Sequence, residues 1–510
     1  MNDLLFYPAV LGPAPIASAR HTRRRLSAQL QTFGPAHSLD SVSAVLYTYF
    51  ILFSTLEKQE EIRMGKTVVP MTEGEIWKRI TYFALPLMLG NLFQQMYNTA
   101  DSLIVGNFLG SNALAAVSSS SSLIFMLIGL FSGLASGAGV IISRYFGAKN
   151  TELLQKAVHT AAAFGLIAGV LLTAAGVALT PQILIWMSTP PAVMTESISY
   201  LQVYFAGSIG FVMYNVFVGI LQAVGDSRHP LYYLIASSLI NIVLDIVFIR
   251  YFNSGVAGAA LATIISQFIS ALLCFIQITR TTDIYRLQVK DVRIDRAILL
   301  QIFHLGLPAG IQNSIVAFAN VVVQSNINTF GEMAMAGFGA YSKIEGFGFL
   351  PITSFTMALT TFVSQNLGAR QYDRVKKGTR FGILTIVLLA ELIGLLVFVL
   401  APQLISAFDS TPAVVEFGIL KSRTATPFFF LVACTHSFAA ILRGAGKTVV
   451  SMVVLISTWC VVRVAFLSIT IPLTHNIQMV CWVYPLTWFL SSAALFFYYK
   501  KADWIHSSLK

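Results

Sequence analysis

The chain has 510 residues, 56% of them hydrophobic and only 11% charged, with a formal net charge of +11. A soluble globule of this size does not use so many apolar side chains without exposing them, so the composition excludes one and fits an all-α polytopic membrane protein. The positive charge lies in short gaps between apolar segments, where it sets orientation rather than binding nucleic acid.

Residues 1–70 differ from the rest. They carry Pro8, Pro13, Pro15, the run Arg23-Arg24-Arg25 and a mixed-charge patch from Glu57 to Lys66. The apolar run 42–56 is short for a span, and its flanks lack the order of a signal peptide. The expectation is a poorly ordered extension with one interfacial helix, and a translation start at Met64 or Met71 is compatible with the pattern.

Twelve apolar segments follow, near 76–106, 112–143, 153–180, 195–224, 230–252, 255–279, 297–329, 334–366, 375–401, 412–442, 448–472 and 477–499. The first holds Asn91, Gln94, Asn98 and Asp101 at steps of three, four and three, which puts them on one helical face. An acid in such a segment costs about 3 kcal/mol on insertion scales, so it marks an ion-handling cavity more often than a helix contact. In the fifth segment Asn241 and Asp245 share a face. In the sixth, Thr263, Ser266 or Gln267, and Ser270 form a polar stripe.

Alternate gaps are basic: Arg144, Lys149 and Lys156; Arg228; Arg280, Arg286, Lys290, Arg293 and Arg296; Arg370, Arg374, Lys376, Lys377 and Arg380; Arg443 and Lys447. The positive-inside rule makes these gaps, and both ends of the twelve-helix unit, cytoplasmic in a cell membrane. The chain also repeats at an offset of 221. Ile142-Ser143-Arg144-Tyr145-Phe146-Gly147-Ala148-Lys149 parallels Val363-Ser364-Gln365-Asn366-Leu367-Gly368-Ala369-Arg370, and Ile220-Leu221-Gln222-Ala223-Val224-Gly225 parallels Ile441-Leu442-Arg443-Gly444-Ala445-Gly446. Both copies fall on one side of the membrane, so the repeat is parallel. The expected layout is 71–280 as an amino-terminal lobe of six helices, 281–296 as a cytoplasmic linker, 297–500 as a second six-helix lobe and 501–510 as a tail.

The stretch Gln95-Met96-Tyr97-Asn98-Thr99-Ala100-Asp101-Ser102-Leu103-Ile104-Val105-Gly106, the Gly147-Ala148-Lys149 turn and the Gly225-Asp226 turn resemble the MATE family of multidrug and toxic compound extruders, most closely its DinF-like branch. The resemblance spans roughly 71–500. It implies a V-shaped pair of lobes that export amphipathic, often cationic, organic compounds by antiport with protons or sodium. It also implies a cation-coupling site at Asp101, Asn241, Asp245 and Thr263. The physics fits: burial and a second nearby carboxylate favour holding a proton, and carboxylates with neutral oxygens equally suit a dehydrated sodium ion.

The second half departs from this pattern. Asn313, Asn320 and Gln324 repeat the polar stripe, but Val322 or Val323 stands where Asp101 would. Gln94, Tyr97, Asn98, Asn313, Asn320, Gln324 and Glu345 are candidates for lining a substrate cavity. Glu345 is expected to act structurally or on substrate rather than in coupling, and Glu391 and Arg463 are intramembrane charges without an assignable partner. His159, His304 and His436 are isolated, and Cys274, Cys434, Cys460 and Cys481 show neither metal spacing nor a disulfide pattern. No cofactor, nucleic acid partner or catalytic set is expected. The protein is expected to work as a monomer on small organic molecules in a lipid bilayer. The alternative is a flippase for lipid-linked substrates, which calls for a strongly cationic cavity.

Overall fold

The computed structural model describes residues 68, 70–187 and 189–506. The expectations for the extension up to residue 67, and for the last four residues, lie outside them. The described chain is helical throughout, as its apolar runs dictate. The helices are α1 (Ile76–Leu109), α2 (Ser111–Gly147), α3 (Thr151–Trp186), α4 (Pro191–Ala206), α5 (Ser208–Ala223), α6 (Arg228–Ile246), α7 (Gly255–Arg280), α8 (Arg296–Asn328), α9 (Glu332–Gly368), α10 (Tyr372–Ser406), α11 (Pro412–Ala425), α12 (Phe429–Gly444), α13 (Thr448–Leu455), α14 (Arg463–Thr474) and α15 (Gln478–Lys501). Helix α6 runs on through a π-helical turn, Val247–Tyr251, and another π-helical stretch, Ile456–Val462, joins α13 to α14.

Among the described residues ten helical runs are long and apolar enough to cross a membrane. An eleventh is added if α4 and α5, bent by 49° at their junction, form one span. The protein is thus a multi-pass membrane protein with ten or eleven spans by hydropathy among the described residues, against the twelve expected; counting the bent pair leaves one to account for. Helix α1 makes the difference. At 34 residues it is long enough to cross, but Asn91, Gln94, Gln95, Asn98 and Asp101 dilute its apolar side chains.

Among the contacts that join the halves, two are made backbone to backbone. Helices α2 and α8 meet backbone to backbone: a Cβ on Gly133 would run into Gly310, and one on Gly137 into Gly306. Small residues permit such close approach between membrane helices. The second contact lies at the end of the bundle that carries the basic loops. There a Cβ on Gly147 would strike the Gln365 carbonyl, and one on Gly368 the Arg144 carbonyl. Ser364 Oγ donates to the Val140 carbonyl (2.6 Å), Gln365 Nε2 to that of Ala223 (2.7 Å) and Arg144 Nη2 to that of Ala445 (3.3 Å). The repeated motif explains the pairing, since each copy ends its helix with a basic residue in the left-handed region, Lys149 at φ 53° and Arg370 at φ 56°.

The expected boundary at residue 71 falls within a packed strap. Met71 is 1% exposed. Its N–H donates to Gln365 Oε1 (2.8 Å), and its carbonyl accepts from Asn366 and Arg374. Met71, Ile80, Phe83 and Leu87 belong to the core of the carboxyl-terminal half, whereas Val105 belongs to that of the amino-terminal half, so α1 serves both. The linker is docked rather than free. Tyr285 and Leu287 are buried, the Gln288 N–H donates to His159 Nε2 (3.0 Å), and the Asp295 N–H to Thr160 Oγ1 (3.0 Å). Burial pushes the Tyr285 phenol well above its usual range.

Candidate functional site

The acid pair arises from two helices. Helix α1 supplies half-buried Asp101, and α6 supplies Asn241 and Asp245, which are 1% and 0% exposed. The two carboxyl groups lie on packed helices, within electrostatic reach of each other. Their surroundings leave polar atoms unused. Asp101 Oδ1, both oxygens of Asp245, both amide atoms of Asn241 and Oε1 of Gln267 are buried without a hydrogen-bond partner among the described residues. Native interiors leave few such atoms, so a set in adjoining helices calls for an explanation. The donors are hard oxygens, which suit a proton or a sodium ion. Among the described residues no group of three or more His, Cys, Asp or Glu side chains could hold a transition metal.

Thr263 lies on α7, which packs on α6, and is half-buried; its hydroxyl donates to the Ala259 carbonyl of its own helix (3.1 Å). Gln267, one turn further, presents an oxygen with no such commitment. Tyr97 stands within electrostatic reach of the acids, while Tyr200 arrives from α4 and stacks on Tyr204 with ring centroids 6.3 Å apart. Gln94 and Asn98 are exposed. Asn91 leaves the stripe: its Nδ2 donates to Ser354 Oγ on α9 (3.1 Å). Sequence reasoning missed Tyr200, which is buried and reaches the acids from α4, an approach between helices that no spacing within one helix displays.

The candidates of the second half separate. Asn313 lines a cavity of about 250 Å³ between the halves, with Ser136, Asn215, Gln222, Thr360 and Arg443. Gln324 is exposed and bonded to Asn328 (2.9 Å). Asn320 accepts from Arg463 Nη1 (3.4 Å), and Glu345 Oε1 accepts from the Tyr341 hydroxyl (3.3 Å). The two charges left without partners in the sequence now have them. Glu391 Oε1 accepts the Phe430 N–H (2.6 Å) at the break between α11 and α12, and Arg463 Nη2 donates to Thr487 Oγ1 (3.1 Å). Lys421 and Tyr484 were not singled out from the sequence, yet they stand beside Arg463.

A profile of the MatE family matches residues 86–247 and again 308–469. The "Probable multidrug resistance protein YoeA" of Bacillus subtilis (strain 168) is 31% identical over 345 residues, covering 66% of this chain and 74% of that protein. The "Probable multidrug resistance protein YpnP" of the same organism is 28% identical over 437 residues, covering 85% and 97%. A solved structure described as the "outward-facing conformation of a multidrug resistance MATE family transporter of the MOP superfamily" superposes with a TM-score of 0.80 at 25% identity, covering 85% of this chain and 97% of that one.

Proposed function

Because the chain belongs to the MatE family, we propose that it is a secondary active exporter of amphipathic organic compounds, driven by antiport of a cation through Asp101, Asn241, Asp245 and Thr263. The observation that carries the reading is the pair of neighbouring carboxyl groups, three of whose four oxygens are buried without a hydrogen-bond partner among the described residues, set in helices of a membrane protein. Water-excluded acids of this kind are costly unless they handle ions. Protons are favoured over sodium, because two neighbouring carboxyls readily keep one proton between them. Tyr97, Gln94 and Asn98 would present the polar side of the cavity to cargo.

The halves are read as two six-helix lobes of the DinF-like branch, twelve spans in all, with the basic loops cytoplasmic and the monomer as the working unit. The duplicated family match supports the repeat, and the positive-inside rule supports the orientation. On this reading the contact between Gly147, Gly368 and their partners is a seal on the cytoplasmic side, and the structure corresponds to the outward-facing state. Loading of Asp101 and Asp245 would then bias the lobes toward or away from that seal.

Proteoliposome efflux of a cationic dye tests the proposal, first with a proton gradient alone and then with sodium alone. Efflux under the proton gradient, abolished by Asp101→Asn or Asp245→Asn, is the expected result. Efflux under sodium only overturns the proton preference, and full activity of both variants defeats the site.

A further inference from the structure

The carboxyl-terminal half holds a second buried cluster, and its charge is reversed. Arg463 is 2% exposed and Lys421 3%. They flank one ring: the Lys421 ammonium lies 3.1 Å and the Arg463 guanidinium 4.6 Å from the centroid of Tyr484. Glu345 is within electrostatic reach of both and is the one carboxylate acting on them. One negative charge against two positive leaves a net cation. Lys421 Nζ and Arg463 Nε have no hydrogen-bond acceptor among the described residues. An ammonium taken out of water against ring faces, with a carboxylate near but not hydrogen-bonded to it, is poorly compensated, so its N–H groups are open to an acceptor from outside the protein. Asn320, which is exposed and bonded to Arg463, and half-buried Tyr484 and Trp459 carry the cluster from the interior toward the surface of the bundle.

The position of the cluster adds a second line. The two matches to the family profile begin 222 residues apart. At offsets of 221 or 222, Lys421 answers to Tyr200, Arg463 to Asn241, Tyr484 to Thr263 and Asn320 to Asn98. Tyr200, Asn241 and Thr263 of the acid-pair half thus give way, in the other half, to Lys421, Arg463 and Tyr484, while Asn98 is kept as Asn320.

We propose that Lys421, Arg463 and Tyr484 form a binding subsite for the anionic group of an amphipathic molecule – a phosphate, sulfonate or carboxylate carried on an apolar body – with Glu345 as the internal counterion that such a group displaces. Guanidinium and ammonium together suit an oxyanion, and the Tyr484 and Trp459 rings suit the apolar body beside it. The inference rests on the exporter reading only in taking the ligand to be a small amphiphile. It extends the cargo from cations to anions and zwitterions, whose two charged ends would address the two halves.

Calorimetric titration of the purified full-length protein in neutral detergent tests this. The probes are decyl phosphate below its critical micelle concentration, decyltrimethylammonium as its cationic twin, and inorganic phosphate. Lys421→Met and Arg463→Gln should each weaken decyl phosphate at least tenfold and leave decyltrimethylammonium unchanged, while Lys421→Arg should retain binding. Glu345→Gln should tighten decyl phosphate, because the competing carboxylate is gone. A purely structural ion cluster predicts no gain there, so this variant decides the matter even if Lys421→Met fails to fold. Displacement of decyl phosphate by short-chain phosphatidylglycerol identifies a lipid headgroup as the source of the anion. Resistance to it identifies a soluble amphiphile, and inorganic phosphate binding as tightly as decyl phosphate would remove the role of the apolar body and overturn the proposal as stated. Unchanged affinity in the Met and Gln variants, or weaker binding in Glu345→Gln, also overturns it. The titration needs no gradient, so binding without efflux would defeat the exporter reading and leave this subsite standing.

Discussion

Replacing Gly147 by alanine tests whether the basic end of the bundle is a seal. The new Cβ would lie against the Gln365 carbonyl, well inside contact distance, and the matching change at Gly368 would meet the Arg144 carbonyl. Atoms of this size pack best at about 3.5–4.0 Å, so the two backbones must part by about 1 Å or more, and neither partner is a side chain that can swing away. Overpacking of this kind costs about 1–3 kcal/mol. If the contact exists in only one of two states, the whole cost falls on that state and shifts the equilibrium by about 5–150-fold. Gly339 is the control, because a Cβ there meets nothing within 4 Å. The assay places a cysteine at Ser136, which lines the cavity between the halves, in a background without the four native cysteines. The reaction rate with an impermeant maleimide is then followed in inside-out vesicles. Gly147→Ala and Gly368→Ala should both react faster than the parent, and Gly339→Ala should match it. An unchanged rate in both variants, or an equal rise in the control, would refute the reasoning.

The remaining predictions use other parts of the molecule. The double variant Asp101→Asn/Asp245→Asn should be little worse in gradient-driven efflux than either single variant, because groups acting as one unit are non-additive; multiplied losses would show that they act separately. Gln365→Leu strands the Met71 N–H, while the Ala223 carbonyl keeps the Ser143 hydroxyl, so melting in detergent should fall by the equivalent of about 1–3 kcal/mol, and an unchanged melting point would count against the strap. Single cysteines at Lys290 and Lys377, both exposed, should resist impermeant thiol reagents in intact cells and react in inside-out vesicles; labelling of intact cells would reverse the orientation.

What the sequence displayed follows from what each feature depends on. Helices were visible because an apolar run long enough to cross a bilayer has few other uses, and the acids Asp101 and Asp245 stood out against such runs. The repeat was visible because Gly147-Ala148-Lys149 and Gly368-Ala369-Arg370 keep the same turn for the same backbone contact. Lys421 was not visible. It lies in Leu420-Lys421-Ser422-Arg423, a polar interruption within the 412–442 segment with nothing nearby in the sequence to pair it, and the approach of Tyr484 and Phe338 from other helices encloses it. Glu391 seemed unpaired because its partner is a backbone N–H freed by the helix break at Thr426–Phe428, a consequence of Pro427 that no pairing of charges in the sequence can reveal. Asn313, Asn320 and Gln324 share a helical stripe in the sequence, but other helices pull them to three different tasks.

The double allegiance of α1 bears on how the chain is made. Its first turns complete the core of the carboxyl-terminal half, and Met71 is bonded to a residue 294 positions away. Synthesis runs from the amino terminus, so α1, the first of the described helices to leave the ribosome, holds Ile80, Phe83 and Leu87 without their eventual neighbours until α9, α10 and α12 have been inserted. Contacts so far apart in the chain form late and slowly. The repeated halves are therefore not two self-sufficient proteins joined by a linker. A nascent chain stopped at the linker would carry an apolar face awaiting its partner, and a carboxyl-terminal half expressed alone would have a gap in its core shaped to residues 71–87.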